Sequence, residues 1–153
     1  MGGTILATPF RWNIARREQL GGLISATAPG QPLNDMFLES LRATASRILA
    51  HANRSDLAFI GRTPENLYDY LSGCFEGLRD VPSLHLVQYS LRNAGSVEQV
   101  PEPALNGLFD YLTAEGLGSR AIATGPRPIA LVDFVASGGT MEGLIRLMRL
   151  QAE

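Results

Sequence analysis

Short apolar runs and longer stretches of helically spaced apolar residues alternate along most of the chain. Three short runs predict strands, at 56–62, 83–90 and 129–132. Four stretches carry apolar residues three and four positions apart, the spacing of amphipathic helices, at 34–52, 65–78, 101–115 and 141–151. The stretch 119–124 fits a short helical turn or a strand. This alternation predicts an α/β fold, with a parallel sheet and helices on both of its faces.

The first 34 residues lack a comparable pattern. A short helix fits 14–23, and the Ala-Pro-Gly-Gln-Pro sequence at 28–32 is typical of a turn or linker. We therefore predict an N-terminal arm over 1–34 and one α/β domain over 35–153. Within that domain, Thr63 followed by Pro64 predicts a helix with Thr63 as its N-cap. Cys74 lies beside the apolar stripe of the same helix, so we expect a buried and inert thiol.

The most informative stretch is 128–140, Pro-Ile-Ala-Leu-Val-Asp-Phe-Val-Ala-Ser-Gly-Gly-Thr. It predicts a strand that is buried on both faces, a tight glycine-containing loop and the start of a helix. Unpaired amides at a helix N-terminus converge, and the helix dipole favours negative charge there. The hydroxyl groups of Ser137 and Thr140 add further donors. The stretch therefore predicts an anion site, of which the simpler alternative is a glycine-rich turn that only closes a strand–helix unit.

This stretch resembles the phosphoribosyl-pyrophosphate loop of the type I phosphoribosyltransferases. Their signature is an apolar strand, two acidic residues, three variable residues, and then Thr/Ser-Gly-Gly-Thr/Ser. Asp133 falls on the second acidic position, whereas Val132 stands at the first. The positions matching the 5-phosphate loop are Ser137, Gly138, Gly139 and Thr140, with Ala136 just before them. The resemblance is strongest over 128–140 and diffuse over the rest of 56–151.

The resemblance implies a fold and an activity. The fold would be the three-layer, Rossmann-like sheet of that family, and the protein a glycosyltransferase of nucleotide metabolism. It would bind phosphoribosyl pyrophosphate with Mg²⁺ and transfer the phosphoribosyl group to a nitrogenous base, releasing pyrophosphate. Asp133 would bind the ribose hydroxyls. Magnesium would be held chiefly by substrate oxygens, with Asp133 as the one protein carboxylate beside it.

Other site residues follow from the same resemblance by their place in the chain. The loop after the first core strand binds pyrophosphate in that family, and Gly61, Arg62 and Thr63 occupy that place. A mobile loop carrying a cation follows the second strand, where Arg92 lies between Ser90 and Asn93. Residues 1–34 would contribute to the segment that covers the base. The plainer interpretations are a helix cap with a surface arginine, a surface loop and a packed N-terminal arm.

The resemblance leaves alternatives open. An acid is missing at position 132, which favours a non-catalytic module that binds a nucleotide or another phosphoribosyl compound. A structural α/β domain without a ligand is a third interpretation. The family core has about five parallel strands, one of which follows the phosphate-loop helix. Because the sequence ends at Glu153, we expect either a trimmed domain that lacks a C-terminal segment or a short variant that completes its sheet differently. An open sheet edge would invite a partner such as a second copy of the chain.

Composition narrows the function classes. The chain has 153 residues with 45% hydrophobic and 18% charged, which is typical of a globular domain. A net charge of −2 argues against a nucleic-acid surface. All 13 basic residues are arginine, which excludes a P-loop lysine and a lysine Schiff base. The single cysteine excludes an internal disulfide, and no apolar run has the length of a membrane span. We expect a cytoplasmic protein, with His51 and His85 in structural roles.

Overall fold

Strands and helices alternate as the sequence predicts. The computed structural model of the protein describes residues 35–89, 97–135 and 137–153, and those from Glu39 to Glu153 form one compact unit. In chain order the elements are α1 (Asp35–Ala52), β1 (Asp56–Ile60), α2 (Glu65–Phe75), β2 (Leu84–Val87), a 3₁₀ turn (Val97–Gln99), α3 (Glu102–Ala114), α4 (Ser119–Thr124), β3 (Ile129–Val132) and α5 (Gly139–Ala152). The stretch 119–124, which the pattern left undecided, is helical. No helix among the described residues is long and apolar enough to cross a bilayer.

The three strands form a parallel sheet in the order β2-β1-β3. Ile60 lies opposite Val87 on one side of β1, and Phe59 lies opposite Val132 on the other side. The chain thus passes from β1 to β2 in one direction and then returns to the far side of β1 as β3. This reversal places a topological switch point between β1 and β3, which is where open α/β sheets bind ligands.

The middle strand, β1, is covered on both faces. All four residues from Leu57 to Ile60 are fully buried. Ala58 and Ile60 belong to a core cluster that contains Leu112 of α3 and Leu144 of α5. Phe59 points to the opposite face, where its ring meets that of Tyr68 of α2 edge to face at 6.0 Å. The continuous apolar run at 57–60 reflects this burial on both sides. The predicted α/β fold is confirmed as a three-stranded parallel sheet with helices packed against it.

The prediction that 129–132 is buried on both faces is wrong. Each residue from Ile129 to Val132 keeps part of its surface exposed. The reason is the strand order, because β3 has one neighbouring strand within the described sheet whereas β1 has two. The central position therefore belongs to β1. The strand that leads into the glycine loop is still a direct neighbour of β1.

Two local predictions on α2 are also wrong. The helix begins at Glu65 with Pro64 at its N-cap position, and no side chain forms a capping hydrogen bond, so Thr63 is not the cap. The Pro64 carbonyl accepts the amides of Leu67 and Tyr68 at 3.0 and 3.1 Å. Cys74 is exposed rather than buried. It lies roughly a quarter turn from the centre of the apolar stripe, which is enough to bring its thiol to the surface.

Candidate functional site

The loops after β1 and β3 leave the sheet at the same edge. Both strands run in the same direction, and their register pairs Phe59 with Val132. Ile60, the last residue of β1, therefore lies beside Asp133, the residue that follows β3. Adjacent strands lie about 4.8 Å apart. Residues 61–63 and residues 133–135 therefore lie on the two sides of the switch point. Both loops were predicted from the sequence to contribute to the site, and the strand order brings them to the same edge of the sheet.

The loop after β3 delivers the chain into α5 through a left-handed glycine. Gly138 has φ +84° at the N-cap position, and its carbonyl accepts the Glu142 amide at 2.9 Å. A residue with a Cβ would be strained in this conformation. Burial of Leu144 and Leu147 holds the helix against the core. The start of α5 is thus fixed by both its backbone conformation and its packing.

The first amides of α5 are open in the sense that none of them has a hydrogen-bond acceptor among the described residues. No side chain caps the helix, and no described carbonyl accepts a hydrogen bond from the amide of Gly139, Thr140 or Met141. A Cβ added at Gly139 would meet no atom within 4 Å. Amides in this position satisfy the chemical requirement for binding an anion.

Asp133 is held at the end of β3. One carboxylate oxygen, Oδ1, accepts the amide of Phe134 at 2.7 Å, and the residue is half-buried. That bond orients the carboxylate along the loop and leaves its second oxygen for another donor. Ribose hydroxyls are donors of the kind that a carboxylate accepts.

The loop after β1 differs in which of its groups are available. The Gly61 amide donates to the Val87 carbonyl at 2.7 Å, so it is used within the sheet rather than offered to a ligand. Arg62 and Thr63 are exposed, and no described carboxylate forms an ion pair with Arg62. A guanidinium group beside a switch point suits an anionic ligand. The Arg62 guanidinium, rather than the Gly61 amide, is therefore the group of this loop that is available to an anionic ligand.

A hydrogen-bonded group that the sequence did not reveal connects the end of β2 to the same edge. The Gln88 side-chain amide donates to Glu65 Oε1 at 3.1 Å, and its backbone amide donates to the Tyr111 hydroxyl at 2.7 Å. Burial raises the pKa of Tyr111. Glu65 opens α2 and Gln88 follows β2, so these bonds fasten the end of β2 to the loop after β1. A glutamine placed directly after a strand was the one sequence signal for this group.

Tyr89 places a phenol in the core next to this edge. Its side chain is 5% exposed and belongs to the cluster that contains Val87 and Leu144. Its hydroxyl has no hydrogen-bond partner within the described residues. Burial raises the pKa of Tyr89 from 10.0 to about 12. The neutral phenol is therefore strongly favoured in the folded protein.

Part of the predicted site falls outside the ranges that the structure describes. Ser90, Arg92, Asn93, Ala136 and the arm at 1–34 lie outside the described residues. The described ranges contain no group of three or more histidine, cysteine, aspartate or glutamate side chains that could hold a metal ion. His85 has the structural role expected of it, since its Nδ1 bonds to the Glu115 carbonyl at 2.8 Å.

Comparison of the chain with protein-family models, curated proteins and solved structures finds no significant match. The functional assignment therefore depends on the loop sequence and on the geometry of the two neighbouring strand ends.

Proposed function

We propose that the protein binds phosphoribosyl pyrophosphate with Mg²⁺ at the β1–β3 switch point and transfers its phosphoribosyl group to a nitrogenous base. The observation that carries this proposal is the adjacency of β1 and β3. It brings the arginine loop, the Asp133 carboxylate and the open amides of α5 to one edge of the sheet. Under this proposal the complete fold is the three-layer fold of the phosphoribosyltransferases. The binding partner is a small molecule.

Each group has a role in the proposed reaction. The 5-phosphate binds to the amides of Gly139 and Thr140, and Asp133 accepts hydrogen bonds from the ribose hydroxyls. Arg62 binds the pyrophosphate, and a Mg²⁺ ion carried by the substrate would supply further positive charge there. The base nitrogen forms a bond to the anomeric carbon as the bond to the pyrophosphate oxygen breaks. The nitrogen's proton passes to solvent. The protein contributes alignment and charge stabilisation rather than a covalent intermediate.

A second candidate is a module that binds a nucleotide or another phosphoribosyl compound without turnover. The observation favouring it is Val132, an apolar residue in β3 at the place of the first acid, paired in register with Phe59. The ribose would then meet one carboxylate, Asp133, instead of two. Weaker control of the ribose lowers turnover more than phosphate binding, because the amides of α5 do not depend on that acid.

A combined binding and turnover assay tests the proposal. Thermal shift with phosphoribosyl pyrophosphate, with and without Mg²⁺, reports binding, and pyrophosphate release across a panel of purine and pyrimidine bases reports transfer. We expect a Mg²⁺-dependent shift and release with at least one base. A shift without release from any base would support the second candidate. The absence of a shift would contradict both.

Matched variants assign the response to the site. Gly139→Ala adds a methyl group in open space at the first turn of α5, whereas Gly107→Ala makes the same change in α3, also with nothing within 4 Å. Both should stabilise the free protein by about 0.5–1 kcal/mol, because alanine favours a helix. Ligand response should fall only in Gly139→Ala. Asp133→Asn keeps an oxygen for the Phe134 amide, so it should fold normally and lose the ribose contribution.

A further inference from the structure

Two consecutive large apolar residues are exposed at the candidate site. Phe134 has 76% and Val135 has 53% of its surface exposed. Both follow Asp133 at the carboxyl end of β3. Neither contributes to the core cluster. Large apolar side chains that cover no core and border a polar site indicate a binding surface.

The local geometry puts this apolar pair between the two proposed ligand contacts. The Phe134 amide is fixed by Asp133 Oδ1 at 2.7 Å. On the other side, Val135 Cγ1 lies 3.9 Å from the position that a Cβ on Gly138 would take, so the valine lies against the turn that begins α5. The apolar pair is thus flanked by the carboxylate proposed for the ribose and by the amides proposed for the phosphate.

Sugar phosphates offer no apolar ring surface to such a pair. A planar heterocycle does, because its face stacks on an aromatic side chain whatever its hydrogen-bonding pattern. We propose, on the basis of the function proposed above, that Phe134 is the stacking platform for a planar heterocycle carried by the ligand. Phe134 then determines specificity. The site prefers a nucleotide or an aromatic base over ammonia, an aliphatic amine or a bare sugar phosphate.

Binding of three probes to the full chain tests this role. Isothermal titration with ribose 5-phosphate measures the phosphate and ribose contacts alone, and adenosine and uridine 5′-monophosphates add a purine or a pyrimidine ring. We expect at least one nucleotide to bind more tightly than ribose 5-phosphate. Phe134→Ala should weaken the binding of that nucleotide on the order of tenfold or more and leave the affinity for ribose 5-phosphate unchanged. Phe134→Tyr, which keeps the ring face, should retain the wild-type affinity.

Leu78→Ala is the control for loss of an exposed apolar side chain. Leu78 is 59% exposed and follows α2, which leads away from the candidate edge. It should leave all three affinities unchanged. Suppose that ribose 5-phosphate binds the wild type. The stacking role is then wrong, while the phosphate site stands, if Phe134→Ala weakens the binding of ribose 5-phosphate as much as that of the nucleotides. The same conclusion follows if Phe134→Ala weakens the binding of none of the three probes. If no probe binds the wild type, the phosphate site itself is refuted, and the stacking role with it.

Discussion

Removing the hydroxyl of Tyr89 should not destabilise the protein at neutral pH, even though the residue lies in the core. The side chain is 5% exposed, and its hydroxyl has no partner among the described residues. A buried hydroxyl without a hydrogen bond carries a desolvation cost of about 1–3 kcal/mol. Tyr89→Phe removes that group and keeps the ring. We therefore expect the variant to equal the wild type or to exceed it by about 1 kcal/mol at pH 7.

The difference should widen in alkali. Burial raises the pKa of Tyr89 from 10.0 to about 12, so between these values the unfolded chain loses its phenolic proton while the folded protein keeps it. The wild-type protein therefore keeps its full free energy of unfolding below pH 10, as far as Tyr89 is concerned, and loses part of it as the pH rises towards 12. Since one pKa unit corresponds to about 1.4 kcal/mol, the total loss is on the order of 2–3 kcal/mol. Tyr89→Phe lacks this loss.

Urea unfolding followed by far-ultraviolet circular dichroism at pH 7, 9 and 11 measures both effects. Tyr111→Phe is the matched control, because the Tyr111 hydroxyl accepts the Gln88 amide at 2.7 Å. Its removal should cost about 1 kcal/mol at pH 7. The reasoning is refuted if Tyr89→Phe is destabilised as much as Tyr111→Phe at pH 7, or if its stability falls between pH 9 and 11 as steeply as that of the wild type.

Two further substitutions test the frame that positions the site. Gly116→Ala should lower the free energy of unfolding by about 2–3 kcal/mol, because Gly116 has φ +80° and an added Cβ would lie 2.8 Å from Cε1 of His85. Unchanged thermal stability would contradict the close packing of the two residues. Asp56→Ala should lower the free energy of unfolding by about 0.5–1.5 kcal/mol, because Asp56 Oδ1 accepts the exposed Ser83 amide at 2.8 Å and joins the amino ends of β1 and β2. An unaltered urea midpoint would show that this bond does not stabilise the sheet.

The elements of this fold were readable from local pattern, whereas their arrangement was not. The runs at 57–60 and 129–132 are both four apolar residues long, so the hydrophobic pattern does not distinguish them. Which of them lies in the middle depends on the side of β1 to which the chain returns, a long-range property. For this reason the sequence wrongly assigned burial on both faces to β3. The prediction of a buried Cys74 is wrong for another reason. A side chain at the margin of an apolar helical stripe faces the core or the solvent according to the elements that pack around the helix.

In the candidate site too, local features could be predicted from the sequence and long-range contacts could not. The glycine turn and the start of α5 were predictable, since a left-handed glycine and a helix N-terminus are properties of consecutive residues. Contacts across the sheet were not. The Gly61 amide bonds to Val87, and Gln88 joins Glu65 to Tyr111, through pairs that are 23 or more residues apart. Exposure of Phe134 likewise needed the three-dimensional structure, because a phenylalanine after a strand is more often part of a core.

The central claim is that the open amides at the start of α5 bind a sugar phosphate beside β1. Amide chemical shifts of the ¹⁵N-labelled chain during titration with ribose 5-phosphate test it most directly. The account predicts large, saturable shifts for Gly139 and Thr140 with one dissociation constant, and much smaller shifts for Gly107 in α3. Saturable binding that leaves the Gly139 and Thr140 amides unmoved, or no binding at all, would contradict it.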